Sequence, residues 1–300
     1  MLDEIDRFYE TCLVQYYDKI QSAIEFIERN LTNKISVQDV SDHAFSSLWH
    51  FQRIFRYMTG YSVHSYTRMR RLSEAGNELL LSKDKIIDIA LKYQYESPET
   101  FLREFKKNYG ITPSQYRKSR EHRIFERIDI HQDEYKNVFD GTGIEHKPMI
   151  RNQIVFIGKK FKTTMQRNKS TIDIPKIWAS SFAENIFEKI PNKLTQNTVQ
   201  GVYSNWDIDE NFDFLVGCEV KEDSPLPEGY VRHITPAAKY MVFTIPGNTS
   251  EKLIHGWKYI YGTWMPNSKY ERGFCDDFDV FDERFQDPKN PVSDIYISVR

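Results

Sequence analysis

Cysteine is scarce: Cys12, Cys218 and Cys275 are the three in a chain of 300 residues. Such scattered thiols give no disulfide framework and no paired metal spacing, so reduced, structural cysteines are expected. No apolar run approaches the ~18–20 residues that span a bilayer. The opening MLDEIDRFYE is acidic and lacks the apolar core of a signal peptide, which points to the cytoplasm. An HExxH pair and a phosphate-cradling glycine loop are missing too. Neither Cys218 nor Cys275 has a histidine base that the sequence can place. No catalytic group, no metal and no cofactor are therefore expected.

Net charge is small, −2, but it hides an asymmetry. Residues 15–123 carry 18 basic against 13 acidic side chains, whereas 121–300 carry 23 against 27. A basic region beside an acidic one fits a division of labour between two domains, the number that the length suggests.

What is present is a repeat. FQRIFRYMTG (51–60) and FLREFKKNYG (101–110) match in register, Phe51 with Phe101, Arg53 with Arg103, Phe55 with Phe105 and Gly60 with Gly110. Ser47 and Ser97, then Tyr66 and Tyr116, extend the match outward. In the first copy, ISVQDVSDHAF reads as a helix with Val37, Val40 and Ala44 on one face. Ser47 can cap the next helix. There Phe51, Ile54, Phe55 and Met58 make a buried stripe at i, i+3, i+4 and i+7. Trp49, Gln52, Arg53 and Arg56 share another face. Gly60 suits a left-handed C-cap. In the second copy, Ile86, Ile87, Ala90 and Leu91 supply the first apolar face, and Ser97-Pro98 starts the second helix. Phe101 and Phe105 point inward, while Glu99, Arg103 and Lys106 share an outer face with Lys107 beside it.

Each copy is thus helix, turn, helix, with an arginine-bearing second helix of the kind that enters a major groove. Arginine can bond guanine O6 and N7 together, glutamine can do the same to adenine, and flanking lysines hold phosphates. The stretch SVHSYTRMRRLSEAGNELLLS between the copies reads as one helix after Ser62. At ~1.5 Å per residue its roughly 19 residues span about 28 Å, near the ~34 Å between successive major grooves on one side of a duplex. Arg56, Arg70 and Lys107 fit phosphate contacts and ordinary solvated charges equally well.

Residues 19–120 resemble the double helix-turn-helix domain of the AraC/XylS transcription regulators, above all through WHFQRIFRYMTG, RRLSEA and IIDIALKYQYESPETFLREFKKNYGITPSQYR. The resemblance implies readers at Trp49, Gln52 and Arg53 in the first helix and at Pro98, Glu99, Thr100 and Arg103 in the second. It implies double-stranded DNA and RNA polymerase as partners, a monomer on DNA, and activation rather than repression. One departure is Phe45, where many relatives have glycine.

After a connector at 121–142 the pattern changes. IVFIGKKFKT, QGVYSNW, FDFLVGCEV, AAKYMVFTIPG, DFDVF and DIYISVR read as strands. IDIPKIWASSFAENIFEKI reads as a helix with Ile174, Ile177, Trp178, Phe182 and Ile186 along one face, and SEKLIHGWKYIYGTW as a second. Two strand–helix–strand–strand halves fit an α+β antiparallel sheet with helices on one face. Residues 143–300 resemble the GyrI-like effector-binding domain, through FDFLVGCEV, LPEGYVRHITPAAKYMVFTIPG, WKYIYGTWMPNSKYE, DFDVFDERF and DIYISVR. That resemblance implies a small-molecule effector, often aromatic and cationic, and a buried acid in a strand of FExY type. Here the strand reads Phe278-Asp279-Val280-Phe281, so the acid is one methylene shorter and a hydroxyl is lost. Ring faces attract cations, and the candidate walls are Tyr203, Trp206, Trp257, Tyr261, Trp264 and Phe281 around Asp279. A core role for each ring, and a solvated role for Asp279 among Asp276, Asp277 and Asp282, are the competing readings.

The expected architecture is multidomain: an N-terminal helical extension (1–18), an all-α double helix-turn-helix domain (19–120), a connector, and an α+β GyrI-like domain (143–300). In the extension Leu2, Ile5, Phe8, Tyr9, Cys12, Leu13 and Tyr16 form an apolar stripe, which either lengthens the first helix or docks on the effector domain. The expected function is a ligand-responsive transcription regulator without a membrane anchor. Because some GyrI-like domains are hydrolases, a small-molecule hydrolase or a protein-interaction module is the alternative for the second domain.

Overall fold

The computed structural model describes residues 15–44, 48–119, 123–136 and 138–300. They fall into a helical unit, Gln15–Lys136, and a sheet unit that runs on to Arg300.

In the helical unit α1 spans Gln15–Arg29, α2 Val37–Ala44 and α3 Leu48–Thr59. A long α4, Val63–Leu81, leads to α5 (Ile86–Lys92), α6 (Pro98–Tyr109) and α7 (Pro113–Ser119). The starts obey local chemistry. Ser62 Oγ accepts from Ser65 N at 3.1 Å, and Ser97 Oγ from Thr100 N at 3.2 Å with Pro98 at the first helical position. Gly60 and Gly110 follow α3 and α6 at φ +79° and +77°, the left-handed conformation that closes a helix cheaply only with glycine. The repeat is visible in the core. Phe51, Phe55 and Tyr66 are fully buried in the first copy, and Phe101, Phe105 and Tyr116 answer them in the second.

Three sequence expectations shift here. On α5 the inward residues are Ile89 and Ala90, with Tyr93 just beyond the helix and Ile86 partly buried; Ile87 and Leu91 are exposed. The helix is turned so that i, i+3, i+4 and i+7 starting from Ile86 face the core. Arg70 is not a solvated charge but a buried hub. Its guanidinium bonds Glu28 Oε1 and Oε2 at 2.9 Å, Glu74 Oε1 at 2.8 Å and the Phe125 carbonyl. Finally, residues 123–136 of the expected connector lie against the helices. Phe125 N donates to Ser73 Oγ at 2.9 Å and Ile130 N to Gln21 Oε1 at 3.0 Å, while Ile128 and Ile130 are buried. The apolar residues of that stretch and its paired backbone amides hold it there.

The sheet unit has eight strands: β1 (Glu145–Arg151), β2 (Ile154–Thr164), β3 (Val199–Ser204), β4 (Asn211–Glu219), β5 (Val231–Thr235), β6 (Ala238–Pro246), β7 (Asp277–Phe281) and β8 (Val292–Ser298). Their order is β1-β6-β8-β7-β3-β4-β2-β5, with antiparallel neighbours throughout. The β2–β4 and β6–β8 halves meet at β3 and β7, and β1 and β5 form the edges. α8 (Ser170–Ala183) belongs to the first half. α9 (Ser250–Tyr259), which continues as a wider π-type turn over Ile260–Trp264, belongs to the second. One face carries a core of Ile154, Phe156, Val202, Leu215, Tyr240, Val242, Phe278 and Tyr296. The sheet curls around it: Arg151 at the β1 edge reaches Glu219 on β4 at 2.7 and 2.8 Å. Gly158 and Gly217 are direct partners in register. A Cβ on either would meet the facing strand's carbonyl oxygen at 2.2 or 2.1 Å, so the backbones pinch where only glycine fits.

Candidate DNA interface and effector site

On α6 the outward face holds Glu99, Arg103, Lys106 and Lys107, all exposed, with Thr100 half-buried at its start. Phe101, Phe105 and Tyr109 anchor the opposite side in the core. That leaves one arginine and two lysines on a rigid helix face, the composition that reads bases and holds phosphates. The matching helix of the first copy differs. Gln52 and Arg53 are only 6% and 5% exposed, and Arg56 is half-buried. The sequence pattern placed both on an open face; in this conformation that face of α3 is covered. The side chain of Trp49 lies outside the described residues, as do Phe45, Ser47 and most of the apolar stripe at 2–16.

In the sheet unit the alternation of β7 sends Asp277, Asp279 and Phe281 to the helix-covered face. The register sets Tyr203 opposite Asp277 and Gly201 opposite Asp279. Asp279 is fully buried. Tyr203 OH donates to its Oδ2 at 2.6 Å, and Trp257 Nε1 to its Oδ1 at 3.1 Å. The two rings meet edge-on at 4.9 Å. From Tyr203 the aromatic surface runs to Phe214 at 4.9 Å and Phe212 at 5.8 Å, with Trp206 stacked on Phe212 at 4.1 Å. Phe281 meets Trp178 of α8 at 4.9 Å and Phe285 at 5.0 Å. The structure therefore gathers Tyr203, Trp257, Asp279 and Phe281, with Trp206 one ring further out.

Tyr261 and Trp264 are placed otherwise. Tyr261 OH donates to Asp277 Oδ2 at 2.6 Å and accepts from Arg272 Nε at 3.2 Å. Arg272 and Asp277, both fully buried, pair at 2.5 Å. Burial pulls the Arg272 pKa down, but Asp277 and Tyr261 more than offset it and hold the guanidinium charged. Trp264 packs on Phe243 at 4.7 Å and donates to His146 at 3.2 Å, in the β1–β6 region. Asp277 and Asp279 are thus not solvated acids, in contrast to that competing reading. One pairs with an arginine; the other accepts hydrogen bonds from the Tyr203 hydroxyl and the Trp257 indole.

Trp178 and Phe214 were not among the sequence candidates. Trp178 read as core because it falls on the α8 stripe. The stripe is in fact only partly covered: Ile174, Ile177 and Trp178 are half-buried and Phe182 is 55% exposed. The helix is thus loosely seated over aromatic residues, a feature that periodicity alone does not reveal. Burial pushes the Cys218 thiol up to about 11 and raises Cys275 as well, so neither is a ready thiolate. Among the described residues no cluster of three metal-ligating side chains occurs, and no helix is long and apolar enough to cross a membrane.

A helix-turn-helix family model matches residues 40–119, and the model of the integron-associated effector binding proteins matches residues 150–299. The transcriptional activator AarP of Providencia stuartii is 41% identical over 120 residues, which are 40% of this chain and 89% of that protein. The uncharacterized helix-turn-helix regulator YbfP of Bacillus subtilis is 48% identical over 103 residues, 34% of this chain and 35% of its own length. An integron cassette protein from Vibrio cholerae aligns with the second half at 20% identity and a TM-score of 0.39, over 53% of this chain and 99% of that one. The chain belongs to the AraC-type helix-turn-helix transcription regulators and carries in its second half a domain of the integron-associated effector-binding family.

Proposed function

We propose that this regulator is an activator that binds double-stranded DNA as a monomer through α3 and α6. Its second domain senses a small aromatic cation, and the response is passed to RNA polymerase. The observation that carries the ligand reading is Asp279: a buried carboxylate held by a phenol and an indole inside a run of aromatic rings. Ring faces and a desolvated carboxylate both favour a cation, and neither rewards a neutral guest to the same degree. Asp279 is covered here, so the guest reaches it by displacing part of the lightly seated α8 surface around Trp178. Asp279→Asn keeps shape and removes charge. Calorimetry against hydrophobic cations and their neutral isosteres should show a loss of about 2–5 kcal/mol for cations alone. Equal losses for both classes would remove Asp279 from the site.

A further inference from the structure

The indole Nε1 of Trp178 is buried and has no hydrogen-bond partner, although the ring around it is only half-covered. A buried donor without an acceptor costs stability, and folded proteins rarely keep one without cause. The ring position is well defined. Trp178 meets Phe281 edge-on at 4.9 Å, and its Cζ2 lies 3.0 Å from where a Cβ on Gly201 would stand. Gly201 is the register partner of Asp279, and Cζ2 is two bonds from Nε1. The orphan donor therefore lies over the same strip of sheet as the carboxylate. One turn further along α8, Ser181 is 2% exposed and its hydroxyl also lacks a partner. Residues three apart share a helix face, so α8 presents two unanswered polar groups toward the sheet.

From this we infer that Trp178 Nε1 is a specificity-determining donor, and that the effector is a cation that also carries a hydrogen-bond acceptor such as a carbonyl. The inference rests on the cation reading of Asp279 and narrows its ligand class. The acceptor answers the indole N–H while the positive charge lies against Asp279, Tyr203 and Trp257. A site built around a donor rejects an otherwise equal ligand that leaves it unpaired.

The test uses two N-benzylpyridinium ions of matched size, one with a para-acetyl group and one with a para-ethyl group, titrated into the full chain. The acetyl ion should bind wild type roughly five- to tenfold more tightly, the worth of about one hydrogen bond. In Trp178→Phe, which keeps a ring, that preference should vanish, leaving the two ions with equal affinity. In wild type an indole N–H resonance should move with the acetyl ion and not with the ethyl ion, a readout that needs no variant. Equal affinity of wild type for the two ions, or a preference that survives in Trp178→Phe, overturns the inference. If the ethyl ion still binds and Asp279→Asn weakens it, the cation reading stands without the donor. No binding of either ion to wild type overturns both.

Discussion

Asp277 and Asp279, two residues apart on one face of β7, call for opposite outcomes on mutation. Asp277→Asn leaves Arg272 buried and short of its counter-ion, a change that costs about 3–5 kcal/mol when a buried pair is broken. Thermal or denaturant unfolding should register that loss. Asp279→Asn weakens the hydrogen bonds from the Tyr203 hydroxyl and the Trp257 indole, each worth about 1 kcal/mol, and should have its main effect on cation binding. If the two variants unfold alike, the division between a structural and a ligand-facing acid fails. On α6 a similar contrast separates Arg103 from Lys106 and Lys107. Arg103→Ala should cost ~1–3 kcal/mol and relax preference at one half-site. Removing both lysines should weaken all sequences alike and lower the salt slope by roughly 1 per lost contact. A changed sequence preference with an unchanged salt slope would show that the lysines face bases.

Among the elements, glycines test the sheet and the helices separately. Gly217→Ala would drive a Cβ to 2.1 Å from the Ile157 carbonyl oxygen, and backbone cannot step aside cheaply. A loss of at least about 1–3 kcal/mol is expected. Gly110→Ala has open space and suffers only its left-handed φ, about 1 kcal/mol. Equal melting shifts would mean that the pinch between β2 and β4 relaxes. The same elements show what the sequence makes legible. The α3 and α6 stripes, the Ser97-Pro98 start and the glycine ends were readable because their residues act locally. The central strands were readable because one or both of their faces are buried. β1 was not: its residues are mostly exposed and include Pro148, so no apolar alternation marks it, and β5 is a short edge strand with polar residues. Asp279 and its ring partners Tyr203 and Trp257 could be nominated from residue type and resemblance. That Tyr261 belongs instead to Arg272 and Asp277 depends on which way a π-type turn aims its side chains, and no periodicity reports that. The hub at Arg70 likewise arises from partners distant in the sequence, Glu28 and Phe125.

For the whole molecule, the central idea is that one chain does on DNA what a symmetric dimer of single readers usually does. α4, 19 residues long, holds the two copies in fixed relation, and each copy brings an arginine at the matching position. The copies differ in this structure: Arg103 is exposed, whereas Arg53 is 5% exposed. The most direct measurement is base-resolution footprinting of wild type, Arg53→Ala and Arg103→Ala on a site selected from random-sequence DNA. The expected result is that each variant loses protection at its own base pairs, the two sets lying about one helical turn apart. Loss at the same base pairs in both variants, or full wild-type protection with Arg53→Ala, would contradict the two-groove arrangement.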